Sequence, residues 1–351
     1  MTTTTNSTDT SIPGTDEGIT QAEIVVYVII LVIESTTSIL GSALVCGTFM
    51  CVKTLSSKPT SKLIVNLAVS DAAMGALVLP FTAATVVNQD WIYGHALCQI
   101  QGLLKTFLSQ VQRSTMLLIA VDRLLRIRYR YSYGMNRTRV MLYPILITWA
   151  LNLVLAVPPL AGWGKFTWLP NKPSCTVDWL DSLSYSITFL TVFGFALQFL
   201  ITACYFLIFV EVRASRRRVQ QSAMLSLRAD RPASSGPATD RSNTPVAGES
   251  APPETGRRNP PANPFMSKEE VAVARTMIIL VTLSTLLSLP YIISNLISLI
   301  MNAHLSYRNE LIISMTVYLN SCLNPVIYGA TNSRFRQGFR TVVRCSCRRQ
   351  R

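Results

Sequence analysis

The sequence contains few charged residues and almost no histidine. Charged residues make up 14% of the 351-residue chain, whereas 49% of its residues are hydrophobic. A soluble globular protein carries about 25% charged residues. His95 and His304 are the only histidines, and neither has a metal-binding spacing or stands beside a nucleophile. The composition therefore argues against a soluble protein and against an enzyme.

Long apolar stretches recur along the chain and are separated by short polar segments. Each is long enough to cross the roughly 30 Å hydrocarbon core of a bilayer as a helix. The sequence therefore predicts an all-α membrane protein, a seven-transmembrane helix bundle, within residues 22–331. The predicted spans are residues 22–51, 61–87, 98–126, 140–162, 183–212, 271–300 and 308–331.

The basic residues lie almost entirely on one side of these spans. Of the 32 Lys and Arg residues, 27 fall on the side that includes the C-terminus. By the positive-inside rule, the N-terminus is extracellular and the C-terminus is cytosolic, which fits a plasma-membrane protein. Residues 1–21 are then an extracellular tail, in which Asn6-Ser7-Thr8 is a glycosylation acceptor. No cleavable signal peptide is visible in this tail, so the first span is expected to act as an uncleaved signal.

Two cytosolic segments have distinct compositions. Residues 219–266 are rich in Ser, Pro, Ala, Gly and Arg, and are predicted to be a disordered third cytosolic loop. In residues 332–351, Phe335 and Phe339 stand four apart among arginines, which predicts a short amphipathic interfacial helix after span seven. Cys345 and Cys347 in the same tail are candidate palmitoylation sites.

The eight cysteines do not form a disulfide scaffold, because most lie in spans or on the cytosolic side. Only Cys98 and Cys175 fall on the oxidising side. A disulfide between them is therefore predicted, tying the start of span three to the loop before span five.

Span three is unusually polar for a membrane helix. It contains Lys105 and Arg113, together with Gln101, Gln110 and Gln112. Ionisable groups inside a membrane are costly and usually face the protein interior or a water-filled cavity. Span three is therefore expected at the centre of the bundle, with the other helices packed around it.

Several motifs in fixed order resemble those of the rhodopsin-like (class A) G-protein-coupled receptors. The resemblance covers residues 22–345 apart from the third cytosolic loop, and is strongest to the opsin, amine and melatonin branches. Each motif alone is weak evidence, but their common order is specific. They are Asn66-Leu67-Ala68-Val69-Ser70-Asp71, the Cys98 and Cys175 pair, Asp122-Arg123-Leu124, Trp149, Tyr205, Pro290, and Asn324-Pro325 to Tyr328 followed by Phe335.

The resemblance implies a receptor that senses an extracellular ligand and activates a heterotrimeric G protein. Arg123 would be the pivot of the switch, since Asp122 and Glu270 can each pair with it. A ligand that favours the separated arrangement would open a cytosolic cleft. The resemblance assigns four further residues to this switch: Tyr205, Asn324, Pro325 and Tyr328.

The departures from the family pattern leave other functions open. Ser288 replaces the usual tryptophan of span six, and Leu197 replaces the usual proline of span five. A constitutively active or ligand-silent receptor of the same fold is therefore an alternative. A transporter or channel is a third, but the internal repeats and interrupted helices it would predict are not visible.

Lys105 is the main indication of ligand class. It stands where amine receptors have an aspartate, so an amine ligand is disfavoured. Lys105 either anchors an anionic group, such as a carboxylate or phosphate, or extends to water or to Asp178. Tyr318 stands where opsins carry the retinal lysine, so a retinal Schiff base is disfavoured, and no cofactor, metal or nucleic acid is predicted. The expected ligand-binding residues are Lys105, Tyr318, Asp178 and Gln101.

A polar core is expected deeper in the bundle. Arg113 is hypothesised to pair with Asp71, directly or through Gln112, because an unpaired guanidinium there would be costly. In related receptors the equivalents of Asp71, Asn320, Ser321 and Asn324 hold a sodium ion. A nearby arginine would repel that ion, so sodium sensitivity is expected to be weak or absent.

Overall fold

The computed structural model describes residues 19–52, 59–129, 141–229 and 268–349. Its helices confirm the predicted bundle, and their order follows the seven predicted spans. Span one is Gln21–Cys51, span two is Pro59–Leu77 with Leu79–Asn88, span three is Gly94–Tyr129, and span four is Leu142–Ala156 followed by the 3-10 turn Pro158–Ala161. Span five is Leu183–Phe189, Leu190–Ala196 and Leu197–Ala229, span six is Lys268–Met301, span seven is Tyr307–Thr331, and the final helix is Ser333–Arg349.

Span three differs from the other spans in both composition and position. Six of the seven described spans are both long and apolar enough to cross a membrane. Span three is the exception, because it is long enough but too polar. It contacts spans two, four, five and six and the two short strands Phe166–Thr167 and Thr176–Val177. Because neighbouring helices surround it, its polar residues do not need to face lipid. The prediction that the chain packs around span three is confirmed for spans two, four, five and six.

Besides span four, which ends in a 3-10 turn, two spans depart from a single regular α-helix. Span two is divided at Val78, where Pro80 lies in the first turn of its second helix. Proline lacks the backbone N–H that would continue the ladder of the preceding helix. Span five contains a π-helical segment, Leu190–Ala196, immediately before Leu197. Such wide turns are frequent at functional sites.

A short hairpin covers the outer end of span three. Its strands, Phe166–Thr167 and Thr176–Val177, are antiparallel. The predicted disulfide between Cys98 and Cys175 is confirmed, with a Cα–Cα distance of 5.3 Å. Gly102 is required beneath the hairpin, because a Cβ atom there would lie 2.7 Å from Cδ1 of Phe166. The hairpin therefore lies directly on the helix.

The end of the bundle that carries the C-terminal helix corrects one predicted boundary and confirms one predicted helix. Span five remains helical to Ala229, so residues 219–229 are helix rather than disordered loop. The rest of that loop, the glycosylation acceptor Asn6 and the side chains of Cys345 and Cys347 lie outside the described residues. After span seven, Phe335 stacks on Tyr328 with ring centroids 5.1 Å apart. This contact attaches the final helix to the bundle.

Candidate ligand cavity and polar core

A cavity lies between span three, spans five to seven and the outer hairpin, and its empty space of about 600 Å³ includes the solvent at its open mouth. It brings together Lys105, Arg113 and Tyr318. Asp178 and Gln101, which were expected in the ligand site, are not in its wall. The described residues that line it include no Asp or Glu. They are Lys105, Thr106, Ser109, Gln110, Arg113, Thr176, Trp179, Phe189, Phe193, Tyr291, Ser314, Val317 and Tyr318.

Lys105 has no carboxylate partner among the residues that the structure describes. Its Nζ donates a hydrogen bond of 2.8 Å to Oγ of Ser174 and lies 5.6 Å from the ring centroid of Tyr318. Asp178 instead accepts a hydrogen bond from the backbone N–H of Leu180. The interpretation in which Lys105 pairs with Asp178 is therefore wrong, and its ammonium group is held by a hydroxyl and an aromatic ring.

Gln101 serves the outer hairpin rather than the cavity. Its Oε1 accepts a hydrogen bond of 3.0 Å from the backbone N–H of Cys175. The side chain is only 2% exposed, next to the disulfide. This contact gives Gln101 a structural reason for its position in a membrane helix.

Arg113 does not reach Asp71, so that hypothesis is wrong in both of its forms. Successive residues on an α-helix point about 100° apart, which turns Arg113 away from its neighbour Gln112. Gln112 faces Asp71, to whose Oδ1 its Nε2 donates a hydrogen bond of 2.9 Å. Arg113 faces span five, where it makes a long contact of 3.4 Å with the carbonyl oxygen of Phe193. Arg113 thus belongs to the ligand cavity and not to the polar core.

The polar core is built on amide groups. Asp71 is buried, and each of its carboxylate oxygens accepts from an amide, Oδ1 from Gln112 and Oδ2 from Asn324 at 2.7 Å. Gln112 also donates to Oγ of Ser321 at 3.0 Å. Asn320, which was expected in this core, is half-buried, and its side chain makes no hydrogen bond within the described ranges. Of the five residues expected around Asp71, Gln112, Ser321 and Asn324 therefore meet there, whereas Arg113 and Asn320 do not.

The inner end of span three has a different ion pair from the expected one. Asp122 accepts from Nε of Arg126 at 3.0 Å and from Oγ1 of Thr60 at 2.6 Å. Arg126 is four residues further along the helix, on the same face as Asp122, whereas Arg123 points to another side. The expected pair of Asp122 with Arg123 is thus replaced by a pair with Arg126. The side chain of Glu270 lies outside the described residues, so its pairing with Arg123 stays a prediction.

The remaining switch residues are packed into the inner half of the bundle. Tyr205 and Tyr328 are buried, and their hydroxyls lack a hydrogen-bond partner in the described parts of the chain. Pro325 packs against span one, where a Cβ atom on Gly41 would lie 2.6 Å from its Cγ. The side chains of Tyr205, Tyr328 and Pro325 are thus part of the packed interior of the bundle.

A buried ion pair on the outer side was missed by the sequence reasoning. Nζ of Lys172 lies 2.5 Å from Oε1 of Glu310, and the two side chains are 6% and 1% exposed. Ser294 of span six also donates to Glu310, at 3.3 Å. Burial lowers the pKa of Lys172, although the Glu310 carboxylate favours its charged form. No spacing rule connects a loop lysine with a glutamate so distant in sequence. The sequence therefore contains no pattern that would have predicted this pair.

These features together define the class of protein. A bundle of long membrane helices encloses a cavity near its outer end, a disulfide-tied hairpin covers that cavity, and a polar core lies below it. The family described as "7 transmembrane receptor (rhodopsin family)" matches residues 41–328. The chain belongs to this family, which consists of signalling receptors rather than enzymes.

Known relatives include receptors for different signals. The chain is 28% identical to the alpha-1D adrenergic receptor of Rattus norvegicus over 90% of its own length and 56% of that protein. It is 28% identical to the GQ-coupled rhodopsin of Mizuhopecten yessoensis over 85% and 55% of the two chains. It is 32% identical to G-protein coupled receptor 161 of Danio rerio over 54% and 38%. The chain thus spans less than two thirds of the length of these relatives.

A solved structure supports the same fold. The crystal structure of squid rhodopsin matches with a TM-score of 0.69, covering 94% of this chain and 89% of that one. The sequences are 20% identical, so this likeness bears on the fold alone.

Proposed function

We propose that this receptor binds an extracellular ligand through an anionic group held by Lys105, and that it activates heterotrimeric G proteins. The observation that carries the proposal is the ammonium group of Lys105, which borders the cavity without an acidic partner among the described residues. A charge inside a protein is costly unless it is paired. A carboxylate or phosphate of the ligand would complete the pair.

The charge of the cavity also argues against other ligands. An ammonium ligand would meet two cations, Lys105 and Arg113, and no carboxylate in the described wall. Retinal would need a lysine in place of Tyr318 for a Schiff base at the usual opsin position. An anionic ligand without a bound cofactor is therefore the best match to this cavity.

The proposed orientation places the cavity and the hairpin outside the cell. The Cys98–Cys175 disulfide supports this, because disulfides persist in oxidising compartments. The N-terminus is then extracellular, and the Asp122–Arg123 region faces the cytosol at the plasma membrane. The proposed switch keeps Arg123 and Glu270 as its pivot, while Asp122 acts through Arg126.

A G-protein biosensor assay in cells tests this function. The probes are a panel of carboxylates, organic phosphates and amines, applied to the wild type and to Lys105→Met. We expect activation by at least one anionic probe and a loss of at least tenfold in its potency in Lys105→Met. Activation by amines, or anion potency that is unchanged in the variant, would contradict the proposal.

A constitutively active receptor is the second candidate, and the middle of span six favours it. Ser284 and Ser288 are buried there, and Oγ of Ser284 contacts Sδ of Met116 at 3.4 Å. Side chains as small as these offer a ligand little contact surface through which to displace span six. High basal biosensor signal that is abolished by Arg123→Ala and unaffected by every probe would favour this candidate over the first.

A further inference from the structure

We infer that the cavity has a second anion-binding point, at Arg113 and Gln110, and that its ligand is an elongated molecule with an anionic group at each end. This inference rests on the proposed function, in which Lys105 holds the first anionic group. It adds a deeper site that the first proposal does not require.

One stripe of span three supplies both points. Lys105, Ser109 and Arg113 are spaced four residues apart, so they lie along the same face of the helix. All three line the cavity. Eight residues of α-helix rise by about 12 Å, which sets the separation between the levels of the two cations. A compact ligand with a single charge would reach only one of them.

The guanidinium of Arg113 has more donors than partners. A guanidinium offers five N–H donors, and Arg113 makes one long contact of 3.4 Å with the carbonyl of Phe193. It forms no ion pair with any residue that the structure describes. Its planar donor geometry matches a carboxylate or phosphate in a bidentate contact. Arg113 is therefore suited to bind an anion that enters the cavity.

Gln110 provides an independent indication within one turn of Arg113. It is only 2% exposed, and both Nε2 and Oε1 are without hydrogen-bond partners in the described chain. It also lines the cavity, one turn before Arg113. Buried amides are normally hydrogen-bonded, and one left without a partner requires an explanation. A ligand carboxylate could accept from its Nε2 and from Arg113 together.

Aromatic side chains fill the wall of the cavity that faces these polar residues. The ring centroids of Trp179 and Phe189 are 5.3 Å apart, and those of Phe189 and Phe193 are 5.1 Å apart. Tyr291 lines the same cavity from span six. This wall suits an apolar linker between the two anionic groups. The ligand class is therefore an α,ω-dianion with a hydrocarbon middle.

The test measures thermal stabilisation of the full-length purified receptor in detergent. The probes are linear α,ω-dicarboxylates of eight to fourteen carbons, each compared with the monocarboxylate of the same length. We expect at least one dicarboxylate to bind the wild type at least tenfold more tightly than its matched monocarboxylate. Equal binding of the two series would overturn the inference.

Three variants locate the second anionic group. Arg113→Gln should remove the advantage of the dicarboxylate while leaving monocarboxylate binding intact. Arg113→Lys keeps the charge and should retain part of the advantage, which covers the case in which Arg113→Gln does not fold. Arg308→Gln removes an exposed cation outside the cavity and should change neither series. A dicarboxylate advantage that survives Arg113→Gln would refute the deeper site.

The same experiment separates this inference from the proposed function. If monocarboxylates bind and depend on Lys105, but dicarboxylates gain nothing, the second point is absent and the first proposal stands. If neither series depends on Lys105, both proposals fail.

Discussion

Lys172 and Lys105 are two lysines near the outer end of the bundle, and their surroundings are opposite. Lys172 lies in the hairpin and forms a buried ion pair with Glu310. Lys105 borders the cavity, donates to the hydroxyl of Ser174 and lies over the ring of Tyr318, and no described carboxylate is within ion-pair distance of it. The first charge is satisfied within the chain and attaches the hairpin to span seven. The second has no acidic partner in the described structure and remains available to a ligand.

The comparison predicts the largest loss of stability for Lys172→Met. This change leaves the carboxylate of Glu310 buried without its cation, which typically costs about 3–5 kcal/mol. The measurement is the free energy or midpoint of thermal unfolding of the purified receptor. Lys165→Met is the matched control, because Lys165 is an exposed lysine of the same hairpin region. It should change stability by no more than about 0.5 kcal/mol.

A double variant separates the ion pair from the packing of the lysine chain. In Lys172→Met with Glu310→Gln, no buried charge is left without a partner, so much of the lost stability should return. Equal losses in Lys172→Met and Lys165→Met would show that the pair does not hold the hairpin.

In the absence of ligand, Lys105→Met should not destabilise the receptor, in contrast to Lys172→Met. The change removes a charge that has no acidic partner, so unliganded stability should be unchanged or slightly higher. Binding of an anionic ligand should weaken at least tenfold, which corresponds to about 1.4 kcal/mol. Melting curves with and without the probe measure both effects. A marked loss of unliganded stability would mean that Lys105, like Lys172, is a structural residue.

The polar core offers a third, smaller test. Both carboxylate oxygens of Asp71 already accept hydrogen bonds from the amides of Gln112 and Asn324. Ligand affinity should therefore change less than about twofold, or about 0.4 kcal/mol, when sodium replaces a large organic cation at constant ionic strength. Gln112→Ala removes one of these donors and should increase the effect of sodium. A strong sodium effect in the wild type would contradict this account of the core.

The sequence alone predicts the elements of this protein better than the directions of its side chains. Apolar length locates the spans, and the disulfide follows from which cysteines the predicted orientation puts on the oxidising side. The partner of Asp71 is a different problem, because Gln112 and Arg113 are adjacent and only the rotation of span three decides between them. The Lys172–Glu310 pair depends on how the hairpin folds over span seven, which no local pattern encodes.

Of the two ion pairs at the start of span seven, the one formed by Arg308 should contribute less to stability than the one formed by Lys172. Arg308 pairs with Glu23 at 3.0 Å, but these side chains are 42% and 32% exposed. Water screens both charges when the pair is broken, so the loss should be at most about 1 kcal/mol. Arg308 and Glu310 lie in the same turn of span seven, so unfolding measurements on the two pairs compare burial at nearly the same place. A loss as large as that of Lys172→Met would mean that position at the start of span seven, rather than burial, determines the contribution of these ion pairs.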